Sequence, residues 1–270
     1  MRLGIGSFSY PWAVGVPGQP RLAAPMDAFA LLNAAARLQV ETVQYVDNLP
    51  LTGLSMRDIG ELAARAGDAG IKIEVGMRGT DAADIRQHLG YVKKFSGDYL
   101  RILSDGVAPN DCPDSDTIIE RLLPLTGEFE DAGVKIALEN HDRFTAYDTA
   151  GMVEALGAGD VAGVCLDTVN SFGAGEGWAS VVEALAPYTV NLHIKDFHVT
   201  RKAHRLGFEI NGAAVGQGQL DVPAILAQLP EGVSVTLEQW TPFDTDIETT
   251  CREEARRVAE GIAYLKLLVR

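Results

Sequence analysis

The chain has 270 residues, 47% hydrophobic and 22% charged, enough apolar material for the core of one barrel-sized globular domain. Its formal net charge of −14 would repel a phosphate backbone, which sets nucleic acid aside as a partner. No apolar run approaches the ~20 residues that span a bilayer, and the start MRLGIGSFSYPWAVG lacks a basic segment followed by a continuous apolar one, so neither membrane insertion nor secretion is expected.

In chain order, eight short strand patterns stand out: RLGIGS (2–7), TVQYV (42–46), IKIEVG (71–76), YLRIL (99–103), VKIALE (134–139), AGVCLD (162–167), TVNLHI (189–194) and VSVTLE (233–238). Several are near-continuous apolar runs, as parallel strands covered on both faces require. Helical spacing fills the intervals; Phe29, Leu32 and Ala36 share a face in the first, and Ala255, Val258, Ile262 and Leu265 in the last. Ser55 with Asp58 resembles a capping box, Asp221 stands just ahead of Pro223 at a helix start, and Gly70 and Gly133 sit where helices end. Eight strand–helix alternations predict a single (β/α)8 barrel over residues 1–270, with no composition break to mark a second domain. The competing open doubly wound sheet would carry a glycine-rich phosphate turn after its first strand, and GIGSFSYPW has no G-x-G-x-x-G. The longest connection, Asp196 to about Leu220, follows the seventh strand and is expected to cover the site as a loop. Cys112, Cys165 and Cys251 have no metal-type spacing and read as reduced thiols of a cytoplasmic protein, Cys165 as a small core residue.

Glu139, Asp167, His193 and Glu238 end, or all but end, the last four strand patterns. Parallel strands in a closed barrel present their C-terminal ends at one mouth, so these four side chains can converge. Three carboxylates and an imidazole form a hard donor set for Mn²⁺, Mg²⁺ or Co²⁺. Singly, each could be a helix cap, a salt-bridge partner or a hydrogen-bonded core residue. Burying them together without a cation would be costly. His141, two residues past Glu139, reads either as a second acid–base group or as a residue that orients its neighbours. By strand alternation Lys195 faces the same side as His193, where it could meet substrate oxygens or pair with a carboxylate. Trp12, after strand one, and Trp240, after strand eight, could wall a sugar pocket or simply pack their loops. The basic run Arg201, Lys202, His204, Arg205 could close over an anionic substrate, with Arg205 as a contact, or be a solvated charge run. Glu74 and Arg101 read as a buried pair inside the barrel.

The segments ALENH (137–141), VCLDTVNS (164–171), NLHIKD (191–196), VGQGQLD (215–221) and TLEQW (236–240) resemble the xylose isomerase-like TIM-barrel superfamily, which includes ketohexose 3-epimerases, hydroxypyruvate isomerase, inosose dehydratase and endonuclease IV. The resemblance implies that Glu139, Asp167, His193 and Glu238 hold one metal, often Mn²⁺, with Mg²⁺, Co²⁺ or Zn²⁺ as alternatives. For the epimerases of the group it further implies that the two glutamates flank the substrate carbon and pass its proton between faces. A metal on a ketone and its neighbouring hydroxyl would acidify the intervening C–H and stabilise an enediolate. The expected function is therefore a metal-dependent isomerase or epimerase of a small keto-sugar, polyol or derivative, with Glu139, Glu238, His141 and Lys195 as catalytic residues. Asn170, a candidate substrate contact, stands where ketose epimerases and endonuclease IV typically carry histidine, which weakens the first assignment and argues against a nuclease. His141 leaves room for a lyase, an inosose-type dehydratase or a 3-oxo-glycoside eliminating enzyme. A non-catalytic sugar-binding barrel is the third reading, and self-association into a homo-oligomer stays open.

Overall fold

In the computed structural model, which describes residues 1–108 and 110–269, eight parallel strands close on themselves. They are β1 (Arg2–Gly6), β2 (Thr42–Tyr45), β3 (Lys72–Arg78), β4 (Tyr99–Leu103), β5 (Lys135–Glu139), β6 (Ala162–Asp167), β7 (Thr189–Ile194) and β10 (Ser234–Leu237). Their order around the barrel is β1-β10-β7-β6-β5-β4-β3-β2, and β1 pairs with both β10 and β2, which leaves no open edge. The helices α1 (Pro11–Val14), α2 (Ala28–Leu38), α3 (Met56–Asp68), α4 (Ala82–Lys94), α5 (Ser115–Leu122), α6 (Thr126–Ala132), α7 (Ala146–Ala155), α8 (Trp178–Leu185), α9 (Val222–Leu226) and α10 (Ile247–Leu268) lie between and after the strands. The (β/α)8 barrel expected from the alternation is the observed fold. No helix among the described residues is long and apolar enough to cross a membrane.

Local chemistry places the helix ends. Ser55 accepts from the Asp58 amide at the start of α3, Asp221 accepts from Ala224 at the start of α9, and Gly133 ends α6 at φ 64°. The buried faces are shifted from the expected ones at both ends of the chain. Helix α2 buries Ala28, Leu31, Leu32 and Ala35, with Phe29 half-buried and Ala36 exposed. Helix α10 buries Val258, Ile262 and Leu265 as expected, but Glu254 rather than Ala255 turns inward. The Glu254 carboxylate accepts from the main-chain N–H groups of Trp12 (2.8 Å) and Ala13 (3.0 Å), and burial pushes its carboxyl up to about 8. A hydrophobicity pattern has no way to register that bond.

The main apolar core lies between the strands and the helix layer, around Ile5, Leu31, Ile59, Leu100, Phe129 and Val258. The barrel interior is unusually polar. Tyr99 OH lies 3.0 Å from Ser234 Oγ, Asn191 Nδ2 donates to Ser234 Oγ (2.8 Å), and Gln44 Nε2 donates to Asn191 Oδ1 (3.0 Å). This chain of bonds fixes the floor on which the mouth residues stand.

The expected loop after β7 is instead an antiparallel hairpin, β8 (Asp196–Arg201) with β9 (Phe208–Ala213), in register Val199↔Ile210. Its segments, DFHVTR and FEINGA, largely alternate apolar and polar residues, the period of two that a half-covered strand requires. Asp196 fastens the base: its carboxylate accepts from the amides of Gly216 (3.0 Å), Gly218 (2.9 Å) and Leu220 (3.0 Å). A Cβ on Gly218 would sit 2.1 Å from Asp196 Oδ1, so the turn requires glycine there.

Candidate metal and substrate site

Four interior positions come together at the C-terminal mouth. Glu139 ends β5, Asp167 ends β6, His193 lies in β7 and Glu238 directly follows β10; all four are buried. Cross-strand register aligns Asp167 with His193, and His193 with Thr236 two residues before Glu238. Facing ligand atoms of Asp167, His193 and Glu238 all lie within 4.8 Å of one another. His193 Nδ1 is 3.3 Å from Glu238 Oε1 and 3.6 Å from Glu139 Oε2.

The imidazole is oriented from below. Because Asn191 donates its amide to Ser234, its oxygen faces Gln44 Nε2, which turns Gln44 Oε1 toward His193 Nε2 at 2.7 Å. Nε2 is therefore the donor, and Nδ1 of a neutral ring offers a lone pair to the carboxylates. Both Nδ1 and Glu238 Oε1 are buried without a hydrogen-bond partner. Two lone-pair atoms in van der Waals contact repel unless a cation or a proton lies between them. This orphaned pair, with Asp167 beside it and a carbonyl oxygen fixing the far ring nitrogen, fits a divalent cation. Burial by itself would lower the His193 pKa, but Cys165, Glu238 and Glu139 around it reverse that and raise it well above the usual imidazole range. A proton is thus the substitute that the pocket itself would hold.

Two of the chain's own cations share the quartet. Lys195 Nζ is 2.7 Å from Asp167 Oδ2 and 2.9 Å from Glu238 Oε2. Desolvation would lower its pKa, yet Asp167, Glu238 and Glu139 raise it, so the ammonium stays charged. Arg101 bridges Glu139, through Nε, and Asp47, through Nη1 at 2.8 Å. The expected pairing of Arg101 with Glu74 is corrected here: the guanidinium turns up toward the mouth. Glu74 stays below with neither carboxylate oxygen hydrogen-bonded, and burial raises its pKa. Gly76 makes the room, since a Cβ there would lie 2.6 Å from Val46 Cγ1 and 2.8 Å from Arg101 Cδ. We expect Gly76→Ala to push Arg101 off its acids and cost about 1–3 kcal/mol. A thermal melt checks this; an unchanged melting temperature would remove the packing argument.

Above the quartet opens a cavity of about 420 Å³. Phe8, Trp12 and Trp240 line it with apolar surface, while Arg78, Arg101, Lys195, Glu139 and Glu238 supply charge. Trp12 is held by its indole N–H on Thr241 O (2.7 Å), and Lys195 Nζ lies 6.0 Å from the Trp240 ring centroid. Asn170 lines the cavity and donates to Glu139 Oε1 (2.9 Å). His141 also lines it, with Nδ1 2.6 Å from Asp142 Oδ1. Arg205 does not: it is exposed at the hairpin tip with φ 65°, and its carbonyl accepts from Arg201 (3.0 Å). No hairpin residue lines the cavity.

Gln44, Asp47 and Arg78 join the site without a motif to mark them in the sequence, and Arg101 serves Glu139 and Asp47 rather than Glu74. Arg78 fell outside the expected strand 71–76, but β3 runs to Arg78 and so carries it to the interior side shared by Glu74 and Gly76.

The chain is 27% identical over 268 residues to 3-oxo-isoapionate decarboxylase of Pectobacterium atrosepticum, covering 98% of this chain and 95% of the relative. A crystal structure of D-psicose 3-epimerase in the presence of D-fructose superposes with TM-score 0.71 at 14% identity, covering 100% and 99% of the two chains. The IolI protein with a bound zinc atom gives 0.68 at 17% identity, covering 98% and 99%. At such identities the two structures share the fold. The family described as Xylose isomerase-like TIM barrel matches residues 32–268, a span that holds all eight strands but the first together with every member of the acid–imidazole quartet, and the chain belongs to it.

Proposed function

We propose that the protein is an enzyme that decarboxylates a small polyhydroxylated 3-oxo acid through an enediolate. The observation that carries this reading is that each glutamate already faces a buried cation, Glu139 the Arg101 guanidinium and Glu238 the Lys195 ammonium. Burial would raise the Glu139 pKa, but Arg101, then His193 and Lys195, hold it well below the usual carboxylate range. So clamped, Glu139 is a poor base for removing a carbon-bound proton. Loss of carbon dioxide from an acid whose ketone is β to the carboxylate needs no such base. It needs positive charge where the oxyanion forms, and Arg101 and Lys195 supply it. The similarity to a decarboxylase of a 3-oxo acid supports the same choice.

The carbon–carboxylate bond breaks, its electron pair delocalises onto the ketone oxygen, and carbon dioxide leaves. A proton then returns to the carbon. His141 suits that delivery: Asp142 accepts from Nδ1, which leaves Nε2 to exchange a proton. Asp167, His193 and Glu238, with Glu139 beside them, would hold one divalent ion, Mn²⁺ being our choice. When bound, that ion would polarise the ketone and add charge against the enediolate. Trp12 and Trp240 would exclude water and meet the apolar edge of the substrate.

Isomerisation or epimerisation of a keto-sugar is the second reading, favoured by Glu238 Oε1, buried and without a hydrogen-bond donor, as an oxygen able to take a proton. A panel of 3-oxo sugar acids and neutral keto-sugars separates the two. Carbon dioxide released from an acid, with no solvent deuterium entering the keto-sugars, supports decarboxylation. Deuterium exchange or a new epimer without carbon dioxide overturns it in favour of the second reading, and neither result would leave a sugar-binding barrel. Elemental analysis should find one divalent ion per chain.

A further inference from the structure

Three cationic side chains line the cavity, and two of them are each held between two carboxylates. Arg101 faces Glu139 and Asp47, and Lys195 faces Asp167 and Glu238. Arg78 differs. Its Nε donates to the main-chain oxygen of Asp105 (3.2 Å), while the Asp105 carboxylate is taken by Arg143, whose Nε lies 2.7 Å from Oδ1. No carboxylate among the described residues pairs with Arg78. The Nε bond anchors one edge of the guanidinium and leaves the terminal N–H groups, a planar fork matched to two carboxylate oxygens. It is half-buried in a cavity that Phe8, Trp12 and Trp240 also line, where a charged hydrogen bond is stronger than in water.

We infer that Arg78 is the specificity residue of this cavity, the anchor for the carboxylate of a polyhydroxylated monocarboxylic acid. The choice of an acid rests on the decarboxylase reading; the assignment to Arg78 rests on its lack of an acidic partner. With the carboxylate held there, Arg101 and Lys195 remain for the ketone and hydroxyl oxygens. Decarboxylation turns the anchored anion into neutral carbon dioxide, so Arg78 grips the ground state more than the transition state. Its loss should therefore appear in KM rather than kcat.

The test uses erythronate, a non-reacting polyhydroxylated monocarboxylate, and erythritol, its neutral counterpart. Each is titrated calorimetrically into the metal-loaded protein, into Arg78→Gln and into Arg78→Lys. Arg78→Gln should weaken erythronate binding about 10- to 100-fold, the loss of a charged hydrogen-bonded pair, and leave erythritol unchanged. Arg78→Lys should recover part of the loss, because it restores charge without the fork. With a turned-over 3-oxo acid, KM should rise while kcat holds or rises. Equal erythronate affinity in wild type and Arg78→Gln overturns the inference. So does an equal loss for both probes, or no erythronate binding by the wild type. Should Arg78→Gln fail to fold, Arg78→Lys alone decides: unchanged erythronate affinity refutes the fork. A protein that releases no carbon dioxide yet prefers erythronate through Arg78 refutes the decarboxylase reading and keeps this one. Carbon dioxide release that is indifferent to Arg78 does the reverse.

Discussion

Glu238→Gln is expected to lower kcat by about 10²–10³-fold, the range for removing one group that organises stabilising charge at a developing oxyanion, and to weaken uptake of a divalent ion. Glu238 does two jobs with its two oxygens. Oε2 receives Lys195 at 2.9 Å, while Oε1 faces His193 Nδ1 at 3.3 Å with no hydrogen bond. The amide keeps the shape and removes the charge. A glutamine oxygen can still accept from Lys195, so the fold should hold; its NH₂ placed against Nδ1 makes a hydrogen bond where the wild type offers a ligand pair. Kinetics, metal content and a thermal melt should be measured together. Normal turnover with one ion per chain would remove Glu238 from both roles. The parallel Glu139→Gln should also abolish most turnover, and its effect on metal content tells whether Glu139 is a ligand or serves mainly to hold Arg101.

Arg101→Met should destabilise the fold by about 3–5 kcal/mol, the usual consequence of breaking a buried ion pair from one side. The guanidinium is buried with Glu139 and reaches Asp47, so its removal strands one buried carboxylate and one partly buried one. In the wild type the folded pKa of Glu139 is well below its usual value of 4.5, because Arg101 and its neighbours overcome burial. Between the two values the unfolded chain binds more protons, so this stability is present above about 4.5 and is lost as pH falls through the folded pKa. Without Arg101, burial is far less opposed and Glu139 becomes easier to protonate in the folded state. Lowering the pH from 7 to 5 should narrow the gap between variant and wild type in urea unfolding. A gap of constant size would mean that lost packing, not stranded charge, causes the destabilisation.

Much of the fold could be read from apolar runs and their punctuation. Runs such as VKIALE and AGVCLD are strands because both faces are covered, and the helical intervals between them allow parallel pairing only by crossover. The convergence of Glu139, Asp167, His193 and Glu238 followed from strand direction, since every strand ends at one mouth. The contacts that apolar runs do not encode are made by side chains that reach across the barrel. Arg101 is 38 residues from Glu139 and 54 from Asp47 in sequence, so choosing between them and Glu74 depended on side-chain direction and on the gap left by Gly76. Gln44 meets His193 across 149 residues, and Glu254 meets Trp12 across 242.

The amino-acid sequence by itself determined the barrel, the face on which chemistry sits and the four residues that crowd its mouth. Those depend on periodicity and chain direction, which are local. Only the tertiary structure decided the charge state of that mouth. It gave Lys195 to Asp167 and Glu238, gave Arg101 to Glu139 and left Arg78 without an acid. The reason is physical: a charge pair depends on a few ångströms of distance and on burial, and both are set by packing between strands far apart in the chain.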